Sequence, residues 1–184
     1  MYFVDKAGLE PTPFEAALMA ADVYGDSKFG LIGGWSRSSI SGFDKHKNNG
    51  LIGMMYERKK ENGEIEYCYV YAGTEGWDDY DDDLTQVLGL SEQYDDVAKL
   101  SVDVSNYLGK DSELTFVGHS LGGGLSNLSA LKTGRSSITF NPAWLQRLNI
   151  GKSKKLRISS RSGMLIFICT RSFPQSTMSA ISAS

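Results

Sequence analysis

The chain has 184 residues, of which 41% are apolar and 22% charged, with a formal net charge of −3. Those proportions fit a single folded domain with a sizeable core and exclude global disorder. The near-neutral balance leaves no basic footprint for nucleic acid or for an anionic membrane surface.

The opening stretch "MYFVDKAGLE" has neither a basic n-region nor an apolar h-region. A cytoplasmic product is therefore the default expectation, and a secreted one if a leader precedes this chain. The best apolar run, "MLIFIC", is far short of the ~20 residues that a membrane helix needs. Two cysteines, Cys68 and Cys169, are too few for a disulfide framework, and neither stands in a C-x-x-C pair.

In chain order, "TPFE" at Thr12–Glu15 predicts a helix start, with Thr12 as cap, Pro13 in the first helical position and Glu15 closing a capping box. Phe14, Leu18 and Ala21 follow at helical spacing, and Gly25 is the expected stop. Residues 26–50 are rich in glycine and serine and read mostly as loop. "LIGMMYERKK" and "EIEYCYVYAG" flank "ENGE", so two strands are expected to meet at a hairpin, with Asn62-Gly63 in a type I′ turn. The second of these strands, Ile65–Tyr71, loses its alternation toward its end, as expected for burial on both faces. From Ser91 a helix is predicted with Tyr94, Val97, Leu100 or Ser101, Val104 and Leu108 on one face and Gly109 at its end.

"ELTFVG" reads as a short apolar strand, "LGGGLSNLSALKTG" as a helix closed by Gly134, and "SSITFNP" as a strand stopped by Pro142. Strand, helix and strand with tight links form a βαβ unit and imply parallel pairing. At the first junction Gly118-His119-Ser120-Leu121-Gly122 fits G-x-S-x-G. Such a serine sits on a sharp turn that lifts its hydroxyl above the sheet, and a side chain two residues to either side would collide with it. The Leu121 amide then lies at a helix N-terminus, where it can stabilise an oxyanion. The plainer reading is a glycine-rich turn used for tight packing or phosphate contact. His119 is a poor base for Ser120, because neighbours at a sharp turn point different ways; a packed or hydrogen-bonded histidine is expected.

"TFVGHSLGGGLSNLSAL" resembles the elbow of the class three, or fungal-lipase-like, branch of the α/β-hydrolases. "VYAGTEGWDDYDDDL" resembles the F-R-G-T strand end of the same family, with its following Trp and Asp-Leu pair, and "LTQVLGLSEQYDDV" suggests a bacterial sub-branch. The likeness covers roughly residues 65–142. It implies an α/β fold of partial α/β-hydrolase type, with a mostly parallel sheet, a hairpin at its N-terminal side and flanking helices. It implies hydrolysis of a carboxylic ester, with a lipid as the expected substrate, without cofactor or metal. By the resemblance Ser120 matches the nucleophile, Thr74 the oxyanion-hole residue, and Leu121 the second amide donor. Ala72 stands where the family usually has Arg, and Trp77 and Asp83 match structural positions. The acidic run Asp78–Asp83 lacks the D-x-D-x-D-G pattern of a calcium loop and reads as a solvated helix start or loop.

The resemblance also implies an acid and a histidine beyond the strand at Ile138–Phe140. Residues 151–184 contain no Asp, Glu or His, although they hold six Lys or Arg and many serines, whereas all 22 acidic residues lie in residues 1–150. The other histidine, His46, is expected in a surface loop beside Lys45 and Lys47, as a solvated residue rather than a base. Three explanations compete: residues 151–184 lie outside the native reading frame of a truncated enzyme, the chain is a non-catalytic lipid- or protein-binding module, or His46 or a second polypeptide completes the site. The first is favoured, with residues 1–150 as an incomplete lipase-like core. In that reading "GMLIFIC" serves as a makeshift strand over an exposed sheet edge and the closing "SFPQSTMSAISAS" is disordered. The oligomeric state stays open.

Overall fold

The computed structural model describes residues 11–25, 29–43, 45–48, 51–73, 90–142, 156–161 and 164–169. In chain order the elements are α1 (Pro13–Asp22), β1 (Ser36–Arg37), β2 (Lys45–Asn48), β3 (Leu51–Lys59), β4 (Ile65–Tyr71), α2 (Leu90–Leu108), β5 (Glu113–His119), α3 (Leu121–Thr133), β6 (Ser136–Phe140), β7 (Leu156–Arg161) and β8 (Met164–Cys169). The strands form one mixed sheet in the order β1-β3-β4-β5-β6-β8-β7, with β2 also paired to β3.

The expectation of a mostly parallel sheet is corrected here. Parallel pairing is confined to β4 with β5 and β5 with β6. Every other described pairing is antiparallel. The two parallel pairs are those joined by chain that carries a helix, α2 between β4 and β5 and α3 between β5 and β6, whereas the short links of the β3–β4 and β7–β8 hairpins can join only antiparallel neighbours. The described part of residues 26–50 is mostly loop, as expected, but it also holds two short strands, β1 and β2, which both pair with the outer edge of β3. Their polar composition suits edge strands, which need no apolar face. "MLIFIC" is a strand, β8, antiparallel to β6 and covering its edge.

The β3–β4 hairpin forms at the predicted place with a different turn. Gly63 has φ +88 while Asn62 is not in the left-handed region, which excludes type I′. The Gly63 N–H donates to Lys60 O and the Lys60 N–H to Glu64 O, so the loop is three residues long. A right-handed turn is followed by one left-handed glycine, and the Asn62 side chain accepts from the Glu64 N–H instead of entering the left-handed region itself.

Period-two alternation sends side chains to both faces of the sheet. Met54, Tyr56, Cys68, Val70, Ala72 and Val117 face one way, packed with Ala16, Met19, Ala20 and Val23 of the α1 segment. Met55, Tyr69, Tyr71, Leu114 and Phe116 face the other, against Val97, Leu100 and Val104 of α2 and Leu125, Leu128 and Ala130 of α3. Burying one large side chain in this way contributes about 1.5–3 kcal/mol. The α2 face is the predicted one at Val97, Leu100, Ser101, Val104 and Leu108, and the side chain of Tyr94 lies outside the described residues. The α1 face is not the predicted one: Phe14 is 62% exposed and Ala21 is exposed, while Ala16, Met19, Ala20 and Val23 are buried. Small residues at Ala16 and Ala20 let the helix lie close to the sheet, which a Phe14 stripe would have held off.

Both ends of α1 are fastened by ions. Arg58 meets Glu15 at 2.8 Å, bonds Glu66 of β4, and stacks over Trp35. Asp22 accepts from Arg37 and from the Tyr56 hydroxyl, each at 2.8 Å. The predicted capping box at Thr12 and Glu15 is present. Among the described residues no helix is long and apolar enough to cross a membrane.

Candidate functional site

The parallel strands β4, β5 and β6 point their C-terminal ends at one edge of the sheet, the edge where open α/β sheets bind ligands. Ser120 lies there, between β5 and α3, with φ 54 and ψ −122. That conformation is one L-residues avoid, and it costs about 1–3 kcal/mol. Its backbone is tied on both sides: the Ser120 N–H donates to Phe140 O of β6 at 3.0 Å, and the Ser120 carbonyl accepts from the Gly124 N–H. The side chain makes no capping bond to the helix it precedes.

The two flanking glycines have a steric reason. A Cβ on Gly118 would fall 2.3 Å from the backbone of Gly122, and one on Gly122 would fall 2.2 Å from Tyr71 O. Without side chains at these positions, the first turn of α3 presses onto the ends of β4 and β5. Below that turn, Ser126 Oγ donates to Gly122 O at 2.8 Å and Ser129 Oγ to the Tyr71 hydroxyl at 3.1 Å. Ser137 Oγ donates to Asn127 Oδ1 at 2.8 Å, and Asn127 Nδ2 to Thr139 Oγ1. These buried bonds fix α3 on the sheet, because leaving any one of them unmade would strand a desolvated polar group.

Leu121, half-buried, opens α3. The first amides of a helix lack intrahelical acceptors and carry its positive dipole end, so this corner can receive an anionic oxygen. Beside it runs the chain leaving β4: a Cβ on Gly73 would lie 3.8 Å from Leu121 N and 3.3 Å from His119 O. The Gly73 N–H donates to the Tyr24 hydroxyl at 2.7 Å. Thr74, the next residue in sequence, lies outside the described residues, as do Trp77 and the Asp78–Asp83 run.

The two histidines take different places. His119 ends β5, half-buried, and burial lowers its pKa from the usual 6.5, so it is neutral at pH 7. His46 is in β2 and not in a surface loop. The register row His46–Gly53–Tyr71–Gly118 sets its backbone three strand spacings from that of Gly118, about 14 Å. The sheet thus brings Ser120 and Leu121 together with Gly73, and holds the backbone of His46 apart from them. Among the described residues no group of three or more His, Cys, Asp or Glu gathers to hold a metal ion. Burial is the largest cause that pushes the Cys68 thiol well above its ordinary pKa, so it behaves as an inert core residue.

Tyr24 is the site residue that sequence reasoning missed. It stands one place before the expected helix stop, in no motif, and its role depends on a partner 49 residues away.

A protein-family model described as the Tle-like phospholipase domain, of phospholipase-like type, matches residues 15–166. The "Extracellular phospholipase A1" of Serratia liquefaciens is 31% identical over 139 residues, which cover 71% of this chain and 41% of that protein. The chain therefore spans well under two thirds of that relative's length.

Proposed function

Because the chain belongs to the Tle-like phospholipase domain family, we propose that it carries the attacking and oxyanion-binding half of a lipid carboxylic-ester hydrolase, with Ser120 as nucleophile. The backbone of Ser120 is the observation that carries the reading: a non-glycine residue at φ 54, ψ −122, between a strand end and a helix start, flanked by glycines that the packing requires. The class three resemblance of "GHSLGGG" and "YAGTEGW" supports the finer placement in an α/β-hydrolase lipase branch. The substrate is a phospholipid acyl ester, in keeping with the printed names of the family and of the relative. The relative's name also favours a secreted setting over a cytoplasmic one.

In the reaction Ser120 Oγ attacks the ester carbonyl carbon and the carbonyl oxygen becomes an oxyanion. The amides of Leu121 and Thr74 receive that oxygen, at the positive end of α3. The alcohol portion leaves with a proton, and water then releases the acid from the acyl-serine. Both proton transfers call for an imidazole with a carboxylate behind it. His119 adjoins Ser120 in sequence, and the His46 backbone sits three strands away. Loss of the base in a serine hydrolase costs about 10⁶ in turnover, and the oxyanion hole and binding retain only ~10³–10⁴. Turnover by residues 1–184 alone is accordingly impaired, and residues 151–184, without Asp, Glu or His, supply neither triad partner.

A second reading, a lipid-binding module without catalysis, is favoured by one observation: the chain holds two histidines, one adjoining Ser120 in sequence and the other with its backbone three strands from Gly118. A fluorophosphonate probe separates the two. Labelling of wild type that disappears in Ser120→Ala establishes an activated serine. Absence of labelling together with binding to phosphatidylglycerol vesicles establishes the module and ends the hydrolase reading. Labelling lost in His46→Ala would return that histidine to the site.

A further inference from the structure

We propose that Tyr24 is a positioning residue for the oxyanion side of the site, an inference that rests on the hydrolase reading above. At the end of β4 the Ala72 N–H donates to Ile52 O of β3. The next amide, that of Gly73, leaves the sheet and donates to the Tyr24 phenol at 2.7 Å. Gly73 is enclosed at that point: a Cβ built on it would sit 3.0 Å from the phenol oxygen, 3.3 Å from His119 O and 3.8 Å from Leu121 N. The phenol therefore continues the hydrogen bonding of the strand and presses the Gly73 peptide toward the start of α3. That spacing sets the distance of the Gly73 peptide from the Leu121 amide.

The hydroxyl can hold this spacing because its own backbone is fixed. Val23, the preceding residue, is 2% exposed and donates its N–H to Met19 O. Asp22 before it is bound by Arg37 and Tyr56. Gly25 after it, at φ +86, turns the chain and donates to Asp22 O at 2.8 Å. The ion cluster on α1 thereby acts at the far end of the helix from Thr12, as the base of an arm whose tip is the Tyr24 oxygen.

Tyr24→Phe removes that oxygen and keeps the ring. The inactivation rate of Ser120 at saturating fluorophosphonate falls about tenfold with the half-saturating probe concentration unchanged. In the amide spectrum of the full chain, the Gly73 and Leu121 N–H resonances both move, and the Gly73 amide exchanges faster. A variant that merely loosened the fold would raise the half-saturating concentration or lower the melting temperature, and would leave the Leu121 shift in place. If wild type is not labelled at Ser120, the hydrolase reading fails, and the two amide resonances alone decide the role of Tyr24. Unchanged resonances in Tyr24→Phe overturn it. Should Tyr24→Phe lose a cooperative melt, Gly73→Ala reads the same spacing from the other side. A folded Gly73→Ala with shifted Leu121 amide supports the proposal, and one with a wild-type Leu121 amide overturns it.

Discussion

Gly118 and Gly122 touch through their backbones: a Cβ on Gly118 would lie 2.3 Å from Gly122 O, closer than any two such atoms can stand. The obstacle is main chain on both sides, so no rotamer change relieves it. Gly118→Ala is expected to cost about 3 kcal/mol and to separate the start of α3 from β5. Gly63→Ala supplies the comparison. That glycine has φ +88 with nothing within 4 Å of its added Cβ, so the cost is only the left-handed strain of about 1 kcal/mol. Urea unfolding of the two variants should give clearly different midpoints, and equal midpoints would show that the contact is not tight.

Ser120 holds a backbone conformation that glycine adopts without strain. Ser120→Gly should relieve about 1–3 kcal/mol, less the ~0.5–1 kcal/mol by which glycine favours the unfolded chain. A net gain of about 1 kcal/mol corresponds to a melting temperature some 2–4 °C higher for a chain of this size. The same variant has no hydroxyl and is expected to lose all probe labelling. A rise in melting temperature with loss of labelling marks a residue kept for chemistry against stability. A fall would mean that the serine is retained for its packing.

The sequence made the βαβ unit legible because its signals are local: alternation in β5, glycines at the turn, Gly134 after α3. The hairpin was equally visible, since Asn62-Gly63 interrupts two apolar runs, but its turn type was not. One left-handed glycine satisfies a three-residue loop as well as two left-handed residues satisfy a shorter one. The pairing of β1 and β2 to β3 left no apolar trace, because edge strands gain their stability from backbone bonds supplied by a neighbour. The face of α1 was misread because Phe14 outweighs Ala16 and Ala20 in any hydrophobic count, whereas closeness to the sheet selects for small side chains. The turn at Ser120 and Leu121 was legible from the G-x-S-x-G spacing together with its strand and helix flanks. Tyr24 was not, since a lone tyrosine gains its role only when folding carries Gly73 to its hydroxyl.

Arg135 closes the end of α2. Its guanidinium donates to the carbonyls of Ser105, Gly109, Lys110 and Ser112 and to Ser105 Oγ, and the residue is 8% exposed. Terminal helix carbonyls have no intrahelical donor, and a cation there also meets the negative dipole end. Arg135→Met should destabilise the protein by about 2–4 kcal/mol, since several buried acceptors lose charged donors together. Arg135→Lys should recover less than half, because a point ammonium cannot span acceptors arranged for a fork. Thermal melts of the three proteins check the order wild type, Lys, Met. Equal melts for Lys and wild type would show that charge alone suffices.

Two groups give the stability an acid limb. Burial raises the Asp22 pKa, but its bonds with Arg37 and Tyr56 and the Arg37 charge outweigh that, so the carboxyl titrates below its usual 3.8. The unfolded chain takes up this proton first, so the stabilisation is complete above about pH 4 and disappears as the pH falls through the lower folded value. His119 acts in a higher window: burial holds its imidazole below the usual 6.5, so stability begins to fall as the pH drops under that value. Melting temperature against pH should therefore decline in two steps. His119→Gln is expected to remove the upper one alone. Asp22→Asn lowers the melting temperature at pH 7, and its deficit should shrink below about pH 3, where wild type has lost the same contribution. A deficit that stays constant from pH 7 to pH 2 would show that the carboxylate charge does not hold the end of α1.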